Sequence, residues 1–196
     1  MFFSQKKKCH LGNLKVSNSE LTFQNFGNLS LRINDDIFTI KPSGANLNKV
    51  NYKDYPIISI KKKRNNYKLK PSVDTDFHLE VYKNFKNINC IVHTHSKYGT
   101  IWAQACKGIP NKGTTHSDYW LKDIPITKKL SKKQIIKDYE KSIGQEIVKV
   151  LKKTFTYGLL IANHGVITFG KNIEEAILYA ERLEYIAEMA FKTEAL

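Results

Sequence analysis

Arginine is nearly missing from a chain crowded with positive charge. Of the 32 basic residues among 196, only Arg32, Arg64 and Arg182 are arginine, so 29 lysines stand against 18 acidic residues, with a formal charge of +14. Such a charge would by itself gain from displacing phosphate counterions. Bidentate phosphate and base contacts, however, call for the planar fork of arginine, and its scarcity argues against a nucleic-acid partner. The lysine runs 61–64 and 128–134 read as solvated surface. The net charge still suits a small anionic substrate.

Cysteine is also sparse. Cys9, Cys90 and Cys106 leave one thiol over in any pairing and have no CxxC spacing, which excludes a disulfide framework or a thiolate zinc site and suits a reducing compartment. No apolar run reaches the length needed to cross a bilayer. The N-terminus, MFFSQKKKCH, places aromatics before its basic run and lacks the apolar centre of a secretory signal. These features predict a cytoplasmic protein with no membrane partner. Glycine and proline occur as single turn signals rather than in a linker, so residues 1–196 are expected to form a single domain.

Residues 29–44 alternate apolar and polar positions on both sides of Asn34-Asp35-Asp36, a β-hairpin pattern. A third strand is expected over 55–63, a helix over 75–85 capped by Thr75, and a buried strand over 89–95. Ser131 and Gln134 have capping-box form ahead of an apolar face of Ile136, Tyr139, Ile143, Ile147, Val150 and Leu151. Residues 158–170 read as two short strands joined by a tight turn at His164-Gly165. Asn172 and Glu175 then open a helix with a stripe of Ile173, Ala176, Ile177, Ala180, Leu183, Ala187, Ala190 and Phe191. Hairpins followed by interleaved strands and helices predict a layered α/β domain with a mixed or antiparallel sheet.

Within the strand at 89–95, His93 and His95 are two apart and therefore project from one face. They can be a chelating pair for a borderline-soft divalent ion, or two hydrogen-bonded core histidines. A third ligand would be His164, placed before Gly165, where the lack of a side chain would let the imidazole face inward; Asp74 could add a carboxylate. His10 and His78 read as structural. In GTTHSDYW, residues 113–120, Asp118 is either a general acid/base or an Asx-turn residue. FGNLS at 26–30 and KPSG at 41–44 set glycine beside hydrogen-bonding groups, as phosphate-binding nests do, and Lys41 would add a point charge.

In order, the segments FGNLSLR, IKPSG, KPSVDT, IVHTHSKYGTIWAQA, IPNKGTTHSDYW, NHGVITFGKN and AERLEYIAEMA resemble the class II aldolase and L-ribulose-5-phosphate 4-epimerase family, in its epimerase-like branch. The resemblance runs from about residue 20 to the end. It implies a three-layer α/β/α sandwich around a central, largely antiparallel sheet, assembled as a C4 homotetramer with sites between subunits. It further implies Zn²⁺ bound by His93, His95 and His164 with Asp74 on or beside the metal, and Gly27, Asn28, Lys41, Ser43, Gly44, Ser72 and Val73 around a phosphorylated sugar. Asp118 would be the catalytic acid/base.

The implied reaction is a 4-epimerisation of L-ribulose 5-phosphate to D-xylulose 5-phosphate. The C4 hydrogen is not adjacent to the ketose carbonyl, so inversion proceeds by breaking C3–C4 to an enediolate, turning the aldehyde fragment and re-adding it. A class II aldolase is the alternative outcome. The family's second acid/base is a tyrosine near the C-terminus, and the sequence reaches Leu196 without it; a truncated chain, a divergent substrate and a metal-binding homologue impaired in turnover are the alternatives this leaves open.

Overall fold

A computed structural model describes residues 1–23, 26–61 and 67–196. The elements are α1 (Phe3–Ser17), β1 (Asn28–Asn34), β2 (Ile37–Ile40), β3 (Ile57–Ser59), α2 (Thr75–Asn84), β4 (Cys90–Thr94), α3 (Lys97–Ala105), α4 (Thr114–Ser117), α5 (Lys132–Lys153), β5 (Gly158–Ile161), β6 (Gly165–Gly170) and α6 (Ile173–Glu194). The strands form one sheet in the order β3-β2-β1-β4-β6-β5. Every neighbouring pair is antiparallel. Among the described residues, no helix is long and apolar enough to cross a membrane.

The sheet is covered on both faces, which gives the expected α/β/α layering. Alternation along β4 shows how: Ile91 joins Phe77, Val81, Ile143 and Ile147 in the α2–α5 core. Cys90 and Val92 point the other way, to Val16 of α1 and Ala176, Ile177 and Ala180 of α6. His93, next in the alternation, faces the α2–α5 layer, and its ring meets Phe77 edge-on.

The hairpin forms at 35–36 as its pattern requires, with an irregularity between Arg32 and Asn34. The strand expected over 55–63 is shorter, ending at Ser59, and Lys62, Lys63 and Arg64 lie outside the described residues. Thr75 is the first helical residue of α2 rather than its cap, and Asp74 takes the cap position. Three helices, α1, α3 and α4, escape the sequence reading. In α1 the sheet is engaged by a side-chain amide: Asn13 accepts from the Leu29 N–H at 2.8 Å and donates to its carbonyl at 3.0 Å.

The capping box of α5 is present, with Ser131 accepting from Gln134 N–H and Gln134 accepting from Ser131 N–H. The expected apolar face fails at Ile136, which is 85% exposed. Asp138 adopts an extended conformation (φ −171°, ψ 88°) inside the helix and rotates the preceding turn away from the core. In α6, Asn172 accepts from Glu175 N–H as expected. Ile186 takes an inward position on the stripe, and Phe191 is instead exposed beside Tyr98.

Candidate metal centre

His93 is fully enclosed near the end of β4, His95 lies just past the strand, and His164 ends the turn between β5 and β6. The β4–β6 register, with Thr94 opposite Val166, brings the two ends together. His93 Nε2 stands 3.1 Å from His95 Nε2 and 3.1 Å from His164 Nε2. One ligand atom from each of the three lies within 4.8 Å of the others. Nitrogens bound tetrahedrally at about 2.0–2.1 Å would sit about 3.3 Å apart, close to the two separations measured from His93.

The turn differs in detail from its sequence reading. Its left-handed residue is Asn163 (φ 60°), and Gly165 already begins β6. Gly165 instead provides clearance: a Cβ there would come to 2.6 Å from Thr94 O, 3.3 Å from His95 Cδ2 and 3.4 Å from His93 Cε1.

The donor set fits a divalent cation. His93 Nδ1 lies 2.8 Å from Val166 O. A carbonyl can only accept, so the proton of neutral His93 is on Nδ1 and its Nε2 lone pair faces the other two rings. That carbonyl–imidazole arrangement is the usual outer support of a metal-binding histidine. Burial, followed by His95, holds His93 down to about 3. Burial, followed by His93 and His95, holds His164 down to about 3, while burial also lowers His95. At neutral pH three uncharged imidazoles therefore converge, as a metal requires.

Around them lie a cation and a carboxylate. Lys41 is 6% exposed and its Nζ donates to Gly27 O at 2.7 Å. Burial lowers its pKa, against the opposing pull of Asp74. Asp74 Oδ2 accepts from Asn28 Nδ2 at 2.6 Å. Burial raises the Asp74 pKa, and His164, Asn28, His95 and Lys41 act against that rise. Asp74 thus stands beside the three histidines, outside the cluster of converging ligand atoms, with its Oδ2 held by Asn28.

Gly27 has φ +95°, and a Cβ there would come to 2.8 Å from His93 O, so the turn before β1 lies directly against the histidine strand. The 41–44 and 70–72 segments pair: Ser72 N donates to Lys41 O at 2.9 Å and Ser43 N to Lys70 O at 2.8 Å. Gly44 has φ +63°, Ser43 and Gly44 are exposed, Ser72 is buried and Val73 is 60% exposed.

A family profile described as Class II Aldolase and Adducin N-terminal domain matches residues 12–191. The chain belongs to this family. This class II aldolase domain is similar to the structure of an L-fuculose 1-phosphate aldolase, at TM-score 0.85 and 22% identity over 98% of this chain and 87% of that one. It is also similar to a sugar-phosphate aldolase from Thermotoga maritima, at TM-score 0.75 and 18% identity over 98% and 95% of the two chains. The L-fuculose-1-phosphate aldolase from Thermus thermophilus matches at TM-score 0.72 and 16% identity, over 97% and 93%. These likenesses establish the class II aldolase fold.

Among the described residues, no hydrogen bond or ion pair links one expected member of the site, Asp118, to the three histidines. Asp118 is exposed just after α4, with its N–H bonded to Thr114 O, whereas the carboxylate acting on His95 and His164 is Asp74. The Asx-type turn in this region belongs to Asn111, whose Oδ1 accepts from Gly113 N–H. His10 and His78 have the structural roles expected of them, His10 beside Tyr55 OH at 3.2 Å and His78 beside Ser30 Oγ at 2.7 Å. Two neighbours escaped the sequence reading: Phe26, stacked on His95 at 6.0 Å, and Tyr139, whose hydroxyl lies 3.0 Å from His164 Nδ1. Tyr139 shares the spacing of core residues, so periodicity alone could not mark it.

Proposed function

We propose that this class II aldolase family member is a Zn²⁺-dependent enzyme that breaks and remakes the C3–C4 bond of a ketose phosphate. Its overall reaction on this reading is 4-epimerisation of L-ribulose 5-phosphate to D-xylulose 5-phosphate. The observation that carries the proposal is the convergence of three neutral imidazoles on one point, at Nε2 separations of 3.1 Å from His93. His93, His95 and His164 would hold the ion, with Asp74 beside them. A divalent cation there supplies Lewis-acid stabilisation for charge developing next to the sugar carbonyl.

The remaining steps belong to protein groups. Lys41, Ser43, Ser72, Val73 and the turns at Gly27 and Gly44 surround the phosphorylated substrate, with Lys41 as the fixed positive charge. Asn28 orients Asp74 through the 2.6 Å hydrogen bond. Asp118 exchanges a proton with the C4 oxygen, and its exposure supports delivery from a neighbouring copy in a C4 tetramer.

Metal-reconstituted protein should convert L-ribulose 5-phosphate to its C4 epimer, with turnover collapsing in Asp118→Asn. Release of a three-carbon and a two-carbon fragment without epimer would assign it as an aldolase. That second reading is supported by the likeness of the fold to an L-fuculose 1-phosphate aldolase. Metal uptake with no consumption of any ketose phosphate would refute both.

A further inference from the structure

His164 is held on its outer side by a residue outside the metal-binding set. Tyr139 Oη lies 3.0 Å from His164 Nδ1, and the two rings are nearly parallel at 12° with centroids 6.0 Å apart. The placement follows from the break in α5. Asp138 leaves the helical conformation, and its Oδ1 accepts from the Lys141 N–H at 3.3 Å, so it caps the helix anew. Tyr139 thereby becomes the first residue of the restarted segment. Ser142 Oγ, donating to Gln134 O at 3.4 Å, ties that segment to the turn before the break.

Resting on the reading of the trio as a metal site, we propose that Tyr139 is the positioning residue for His164. Its hydroxyl donates to Nδ1 in the metal-free protein and accepts from Nδ1–H when a divalent cation is held. The argument begins at His93, whose Nδ1–H is committed to Val166 O and whose Nε2 can only accept. His164 Nε2 and His95 Nε2 each stand 3.1 Å from that lone pair and can share it as donors, so the metal-free hydrogen bond from His164 needs its proton on Nε2. Its Nδ1 is then bare and accepts from the tyrosine O–H.

Metal ligation needs the His164 Nε2 lone pair. The single imidazole proton moves from Nε2 to Nδ1, the ring stays neutral, and the tyrosine hydroxyl rotates to accept. A hydroxyl can do both; a carbonyl such as that facing His93 supports only the ligating tautomer. Tyr139 thus lets one ring serve both states without moving.

Tyr139→Phe keeps the stacked ring and removes only the hydroxyl. Zn²⁺ affinity, measured by competition with a chromophoric chelator, should fall about 10- to 100-fold, the usual effect of losing an outer partner of a metal ligand. Unchanged affinity in a folded variant overturns the role of Tyr139. Nitrogen-15 NMR of histidine-labelled wild-type protein provides a test that needs no variant: the His164 proton should be on Nε2 without metal and on Nδ1 with Zn²⁺. The same tautomer in both states overturns the proposal. Failure of wild-type protein to take up Zn²⁺ at all would instead sink the metal reading itself.

Discussion

Replacing Gly165 with alanine tests whether the histidine cluster depends on backbone clearance as much as on its rings. The added Cβ would stand 2.6 Å from Thr94 O, closer than real contacts allow, and must open to at least 3.0 Å. The Gly165 end of β6 and the Thr94 end of β4 therefore separate by about 0.4 Å or more, roughly twice the 0.2 Å tolerance of metal–ligand distances. Two of the three ligands flank the intruding atom, at 3.3 Å and 3.4 Å. Overpacking of this kind costs about 1–3 kcal/mol. In Gly165→Ala, urea unfolding of the metal-free protein should show a loss in that range, and chelator competition should show Zn²⁺ affinity at least about tenfold weaker. Wild-type affinity together with wild-type stability would refute the reasoning, because no shift of the strand ends would then have taken place.

Further outcomes follow from the same geometry. His93 and His164 are held to about 3 when folded, against about 6.5 in an unfolded chain. The unfolded chain then binds more protons, so metal-free stability is full above pH 6.5 and declines as pH falls toward 3. The limiting slope is about 1.4 kcal/mol per pH unit for His93 alone; a flat urea-derived stability between pH 7 and 5 would contradict it. Zinc at a hundredfold excess over its Kd should raise stability by about 2.7 kcal/mol, an increment removed by chelator and absent in His95→Ala. Lys41→Met should raise KM for a phosphorylated sugar at least about tenfold, as expected on losing a charged partner, with no matching change for the unphosphorylated sugar. Because Lys41 and the surface lysines attract an anion, KM should also rise with ionic strength.

Sequence patterns made the sheet legible wherever an element buries a regular face. The hairpin, the histidine strand, the capping box at Ser131 and the cap at Asn172 all rest on local chemistry. What they could not reveal is nonlocal. α1 packs through Cys9, Asn13 and Val16 without an amphipathic pattern, its Asn13 amide serving a strand 16 residues away. The exposure of Ile136 depends on the break at Asp138, which nothing in a run of helix-forming residues announces. At the site, the i, i+2 spacing of His93 and His95 gave their common face, and His164 was legible through its neighbouring glycine. Asp74 was legible as part of the neighbourhood, but Asn28's hold on its carboxylate is visible only in three dimensions. Tyr139 looked like one more core residue.

The pairing of β4 with β6 has a consequence for assembly. His164 is 71 residues from His93, and nothing local draws them together. Only completion of the ladder closes that distance. A nascent chain that has not yet laid its last strand against the fourth should display two imidazoles and no cage. Ion capture would then be a late mark of finished folding rather than its trigger, so zinc present during refolding should slow unfolding while leaving the folding rate nearly unchanged.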